Sequence, residues 1–355
     1  MRSRIFALFA LLALVGAAPL HAAAVRDLYE ARVTVGEQSP AELKRAARDG
    51  LAEVLVRVSG RTDAIRQPAL AGALGGADRY LEQYRYEPAP AAADAAPKLQ
   101  AVLRFAQPQV EQLLRQAGLP LWGDNRPTLL VWLAVDAGSG RQLVNEESDP
   151  ELVRALREQA RRRGLLLSFP LLDLDDMATV NADTAWQLDL AKLGEASGRY
   201  RADGLLAGRL AALPGGRWTG SWKLSASELQ LGFDGDGTSL SGYLAPAIDR
   251  IADGLASRYA VAAEAGAGVV TLWLSDVNSF VDYSRALAYL SRLSQVKAVL
   301  PLQVTPGQLL LRLEIDGTPT QLERALALDN KLQPEPATQQ QPGTAQMRYR
   351  WLARG

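Results

Sequence analysis

The 355-residue chain contains no cysteine and a single histidine, His21. Without cysteine there is no disulfide, no thiol nucleophile, no thiolate metal site and no point of lipid attachment. Without a histidine beyond residue 21, Ser-His-Asp and Cys-His constellations, His-ligated zinc and histidine general bases are excluded as well. Lysine is scarce, so arginine supplies most of the 39 basic residues. Three motifs are also missing: Gly-x-Ser-x-Gly, a Gly-x-x-x-x-Gly-Lys phosphate loop, and Gly-x-Gly-x-x-Gly after a strand. Nucleotide chemistry has no support.

Residues 1–24 place Arg2 and Arg4 before an apolar stretch from Ile5 to Ala18, followed by Ala22, Ala23 and Ala24. That order is the pattern of a cleavable secretory signal, and the stretch is shorter than the ~20 residues a spanning helix needs. The expectation is a periplasmic protein, not a lipoprotein, with no membrane-spanning segment after cleavage. Removing residues 1–24 leaves a mature chain with slightly more acidic than basic residues, so a nucleic-acid partner is not expected. Hydrophobic content of 48% with 22% charged residues is that of an ordinary globular chain.

Pattern reading divides the remainder into three parts. In 25–122, Tyr29, Ala31, Val33 and Val35 alternate as in a half-buried strand. Ser39, Pro40 and Glu42 open a helix with Leu43, Ala47, Leu51, Val54, Leu55 and Val58 on one face, and Gly60 closes it. Strands are expected around Tyr80, Tyr84 and Tyr86 and over Leu99 to Phe105. The Pro- and Ala-rich stretch 87–97 between them has no apolar period. The turn formers at 123–127 mark a boundary to a second domain, 127–262. Its first strand, Thr128 to Val135, is continuously apolar and therefore covered on both faces. Helices are expected over 150–163 and 184–197, strands near 165–169, 204–212, 217–225 and 227–233, and a long helix from Leu240 to Tyr259. A third domain, 268–355, reads β-α-β-β-α-β, the ferredoxin-like order. Within it, 334–346 is Pro- and Gln-rich with nothing to hold it to a core. The fold class is α/β and α+β, in three small modules.

With His and Cys gone, carboxylates, Lys and Ser are the remaining chemistry. Ser294 and Lys297 match Ser-x-x-Lys, but at the end of a helix instead of its start. Asp173, Asp175 and Asp176 follow a strand end, where open α/β sheets place ligands, and Asp175 and Asp176 are the acids a glycan hydrolase would use. A loop and helix start also favour Asp. Glu146, Glu147 and Asp149 precede a helix and suit its positive end. Asp234-Gly-Asp-Gly-Thr238 resembles the start of a calcium loop, but Ser239 and Ala245 stand where such a loop needs Gly and an acid, so a turn is expected. Trp218 and Trp222, with Tyr84 and Tyr86, are aromatics able to stack on a sugar or a partner, although strand-period spacing also suits a core. Gly208 inside a strand implies a bulge or a close approach.

Residues 199–210 (RYRADGLLAGRL), Trp218, Trp222 and the helix ending Arg258-Tyr-Ala-Val261 resemble an uncharacterised secreted proteobacterial family, domain of unknown function 2066. More loosely, Ala202-Asp-Gly-Leu-Leu-Ala-Gly208 is similar to a strand of envelope α/β domains: the amino-terminal domain of the Tol-system propeller protein, curli-secretion lipoproteins, peptidoglycan-synthase activators and flagellar assembly protein T. That resemblance implies docking rather than catalysis, with an envelope protein as partner and no cofactor. The alternatives are a peptidoglycan-binding protein, from the order of the last domain, and a carboxylate-dependent glycan hydrolase.

Overall fold

The computed structural model describes residues 27–89, 99–138, 140–261, 267–328, 331–336 and 345–352. Three sheets, each with its own core, organise the chain.

In the first module, strand β1 (Glu30–Val35) leads into helix α1 (Pro40–Ser59). Ser39 accepts from the Glu42 backbone at 3.3 Å and Gly60 closes the helix in the left-handed region at φ 71°. Both helix signals act as read from the sequence. Next come α2 (Pro68–Gly75), β2 (Leu81–Pro88), β3 (Leu99–Phe105) and α3 (Gln107–Gln116). The sheet order is β1-β3-β2, antiparallel throughout, and the apolar face of α1 packs on it. Tyr80, expected in a strand, lies in a short 3-10 turn, Ala77–Tyr80, just before β2. Residues 90–98, which hold most of the Pro- and Ala-rich stretch, lie outside the described residues.

The second module begins with β4 (Thr128–Asp136) and continues with β5 (Arg141–Val144), α4 (Pro150–Arg163), β6 (Leu166–Ser168), α5 (Leu174–Thr179), α6 (Ala182–Trp186), α7 (Leu190–Ser197), β7 (Gly204–Leu213), β8 (Arg217–Ala226), β9 (Leu229–Gly237) and α8 (Leu240–Tyr259). Its sheet runs β5-β4-β7-β8-β9, with β6 pairing the start of β4. Strand β4 is covered on both faces. Leu129, Val131, Leu133 and Val135 meet α4 and α8, while Leu130, Trp132 and Ala134 meet the α6–α7 side. The helix expected over 184–197 is split. Leu188 takes φ 52° and Asp189 caps α7, accepting from Ala191 and Lys192, because Asp is a better helix cap than helix interior. The turn expected at 234–238 is also overturned. Asp234 and Asp236 lie in β9, opposite Ser221 and Thr219, and the chain turns only at Ser239, which caps α8.

The third module comprises β10 (Ala267–Val277), α9 (Phe280–Arg292), β11 (Val296–Thr305), β12 (Gly307–Asp316), α10 (Pro319–Leu328), β13 (Leu332–Pro334) and β14 (Met347–Trp351), in sheet order β11-β12-β10-β14-β13. The expected order is present with one strand more. Because β13 takes the outer position, β14 returns between it and β10 and runs parallel to β10. The ends of the 334–346 segment are held, contrary to the sequence reading. Pro334 pairs Tyr349, Glu335 meets Arg350, and Gln346 donates to the Thr271 carbonyl. Residues 337–344 lie outside the described residues.

The turn formers at 123–127 join the modules rather than separate them. Arg126 is buried and donates to the carbonyls of Trp122, Gly123, Arg57, Arg163 and Gly164, while its guanidinium covers the Trp122 ring at 4.0 Å. Arg57, equally buried, donates to the carbonyls of Leu28, Glu30 and Arg162 and pairs with Glu53. Burial pushes its guanidinium down to about 10, still fully charged near neutrality. The negative ends of α1 and α4 thus meet in one buried place, and arginines from both modules satisfy carbonyls that the helices leave open.

Candidate functional site

The sequence-predicted residues separate into interior and surface groups. Trp222 is 1% exposed and packs between β8 and α8, with Trp218 half-buried against the same core. Trp222 therefore cannot serve as a docking or sugar-stacking surface. Gly208, its partner on β7, leaves room for the ring. A Cβ there would come within 2.4 Å of the Trp222 ring, so the glycine is the close approach its position implied. Tyr84 is half-exposed and meets Tyr86 edge-on at 6.0 Å, while Tyr86 packs on the first core.

Asp173, Asp175 and Asp176 do different jobs. Asp173 caps α5, accepting from the Asp176 backbone at 3.1 Å, and is gripped by Arg199 through contacts of 2.6 and 2.7 Å. Arg199 first, then the backbone donor, holds the Asp173 carboxyl down at about 2. Asp176 is buried. One oxygen accepts from the Tyr200 hydroxyl at 2.5 Å and the Leu172 amide at 2.9 Å, the other from Arg199 at 3.3 Å. Burial and that bond push the Tyr200 phenol up to about 12. Asp175 points outward, within 3.7 Å of Arg199. Asp175 and Asp176 therefore do not form a pair flanking a substrate, because one is consumed by an internal network and the other stands in solvent. Ser294 and Lys297 do not meet either, since Lys297 pairs with Asp316 at 2.5 Å.

The network has a consequence the sequence did not advertise. The loop entering α5 is bonded at successive residues: Leu171 donates to Tyr200 and accepts from Asn145, and Leu172, in the left-handed region at φ 56°, donates to Asp176. With the backbone fixed, Leu171, Leu174 and Met177 project into solvent, Leu174 being 89% exposed. A rigid apolar platform with an acidic rim at Asp175 results. Sequence reasoning had the acids and missed Leu171, Leu174 and Met177, whose only signal was apolar residues within and on each side of the Asp cluster.

A cleft of about 540 Å³ lies between the first module and the end of α9. It is lined by Tyr29, Glu82, Arg104, Glu111, Asp124 and Arg292 among others. Tyr29 donates to Glu111 at 2.9 Å, and burial, then that carboxylate, raise its phenol well above the ordinary value. A phenol so held gives up its proton reluctantly and is a poor base or nucleophile. Among the described residues no three carboxylates converge to hold a metal ion, and no helix is long and apolar enough to cross a membrane.

Residues 22–123 match the model of a domain of unknown function, DUF8605. The match spans the first module through Gly123. It fits an uncharacterised domain, but it is a different family from the one that residues 199–261 resemble, and it leaves the second and third modules unmatched. No curated protein matches the chain.

Proposed function

We propose that this is a non-catalytic protein of the bacterial envelope that acts as a docking or assembly module, reaching the periplasm through a signal in residues 1–24. The observation carrying this reading is the platform of Leu171, Leu174 and Met177, exposed on the first turns of α5 and the loop that enters it, which four hydrogen bonds hold in place. A surface held in its binding shape loses little freedom on association, which is what a docking patch requires. Exposed large apolar groups in a cluster mark interaction sites more often than isolated ones do. The partner it fits is a protein with an apolar contact and a cationic edge to meet Asp175.

Two further points support docking over chemistry. Of the two acids that a glycan hydrolase would use, Asp176 is buried in an internal network with Arg199 and Tyr200, and Asp175 stands in solvent apart from it. The resemblance of Ala202–Gly208 to strands of envelope docking domains points the same way, and in this chain that segment leads into β7, beside the α6–α7 face. The specific family, domain of unknown function 2066, belongs to this proposal as well.

The test is a photoreactive residue at Leu174 or Met177 in intact cells, with Arg154 on the far side of the module as control, followed by mass spectrometry. Recovery of one envelope protein from both platform positions and not from Arg154 is the expected result. Muropeptides at the platform would favour peptidoglycan binding, and equal background at all three positions would remove the docking reading.

A further inference from the structure

A recess of about 260 Å³ opens where the first and second modules meet. Leu166 and Leu167 of β6 form part of its wall. Successive strand residues point to opposite faces, so a wall made of two in a row is the edge of the strand and not a face. Strand β6 pairs with the start of β4, and no strand lies along its other side. The backbone N–H and C=O groups of an open edge can pair with an incoming chain.

Arginines of both modules stand around this edge: Arg157 and Arg161 from α4, Arg32 from β1 and the buried Arg57 from α1. Arg157 pairs with Glu146, and Arg32 shares the buried Glu30 with Arg85 and Arg104, at 3.3, 3.5 and 3.7 Å. Asp27, the other acid at the recess, is held by Arg104 at 3.3 Å. Arg161 is left over: among the described residues its side chain makes no hydrogen bond or ion pair. It lies four residues from Arg157, a spacing at which like charges repel on a helix. Burial lowers the Arg57 guanidinium most, and the charges of Arg161 and Arg162 lower it further. The negative end of α4 does not call for this extra cation, since Arg57 and Arg126 already donate to the carbonyls of Arg162, Arg163 and Gly164.

We propose that the recess holds the carboxy-terminal carboxylate of an extended peptide, whose last residues add to the free edge of β6. Three features select that ligand. Arg161 offers one uncompensated positive charge, which fits a monoanion, while Asp27 and Glu30 at the same recess oppose a dianionic phosphate. The volume is below the ~300 Å³ at which pockets for whole small ligands begin, so it takes an end group with one side chain. Strand β6 is three residues long and can pair with only the last few residues of a chain. Ala160 and the β6 leucines give the terminal side chain an apolar wall. Strand addition and capture of a terminal carboxylate are both general ways of recognising a peptide.

The test uses the full chain on an array of short random-sequence peptides attached by their amino ends, each present as the free acid and as the carboxamide. A second set ends in D-alanine. Free acids with an apolar L-residue at the end are expected to retain the protein, and their carboxamides to bind at least about tenfold more weakly, through loss of a charge-assisted contact. Arg161→Gln should show the same loss with an unchanged melting temperature, because that side chain is exposed and holds nothing in the fold. No binding to any set, equal binding to acids and carboxamides, or an Arg161→Gln chain that binds like wild type would overturn the proposal. Binding confined to the D-alanine set would overturn it as well, by assigning the carboxylate to a cell-wall stem peptide in place of a protein tail. The photocapture at Leu174 reads a different surface in cells, so failure of one assignment leaves the other standing.

Discussion

Arg163 Nη2 lies 2.7 Å from Asp253 Oδ1, joining the end of α4 to the middle of α8, and the same nitrogen donates to the Gly60 carbonyl at the end of α1. A second nitrogen meets Asp249 at 2.9 Å. One buried guanidinium therefore ties two helices of the second module to the first. Removing one partner of a buried ion pair leaves the others uncompensated, and Arg163→Ala should cost about 3 kcal/mol, the low end of the usual range because Asp253 can take up water. Urea unfolding monitored by tryptophan fluorescence reads the loss. A cost below about 0.5 kcal/mol, the level of an ordinary surface change, would mean that the contact is incidental.

Gly208 faces the Trp222 ring at a distance that leaves no room for a methyl group. Gly208→Ala should destabilise the chain by about 1–3 kcal/mol through overpacking. Shrinking the ring tests the cause: in Trp222→Leu the same alanine should cost less. Additive effects in the double mutant would show that the strain lies elsewhere.

Much of the architecture could be read from apolar period and helix caps. The two-faced burial of β4, the caps at Ser39 and Gly60 and the β-α-β-β order of the third module all follow from local chemistry. Other features depend on contacts distant in sequence. The turn-forming string 123–127 looks like a linker, yet Arg126 is drawn inside by carbonyls of two helix ends that the sequence does not place together. The Trp218 and Trp222 pair could be assigned to a strand face, but which face is buried was fixed by α8, packed on it from beyond β9. The Asp cluster was visible as acids, whereas its role depends on Arg199 and Tyr200, more than twenty residues away.

Asp175 and Asp176 are adjacent in sequence and should respond oppositely. Asp176 is buried and accepts three hydrogen bonds, one of them from Arg199. Asp176→Asn should destabilise by about 1.5–3 kcal/mol, the range for bonds to a charged group. Asp175→Asn should stay within about 0.5 kcal/mol. The first substitution should also free the loop, visible as faster amide exchange at Leu171 and Leu172. Equal effects from the two variants would contradict the network.

The same network sets how stability changes at both ends of the pH scale. Tyr200 has a folded-state pKa of about 12 against an ordinary 10.0, raised by burial and by the Asp176 carboxylate. The folded state therefore favours the protonated phenol. Its contribution is complete below pH 10 and is lost as pH rises through about 12. The phenol is only partly buried, so the effect should be no more than about 1 kcal/mol after screening. Tyr29 and Tyr243 are raised further and contribute in the same sense, which makes the difference between wild type and Tyr200→Phe the informative quantity. At the acid end, Asp173 is lowered from 3.8 to about 2, so what it contributes is present above its unfolded value and lost as pH falls through its folded one. Chemical denaturation across both ranges should show the wild-type curve converging on Tyr200→Phe above pH 10 and on Asp173→Asn below pH 4. Curves that stay parallel in either range would mean that the corresponding group is not coupled to the fold. Convergence in both would tie the rigidity of the Leu171 and Leu174 platform to two protonation states, and partner capture at Leu174 should then weaken at the same pH limits.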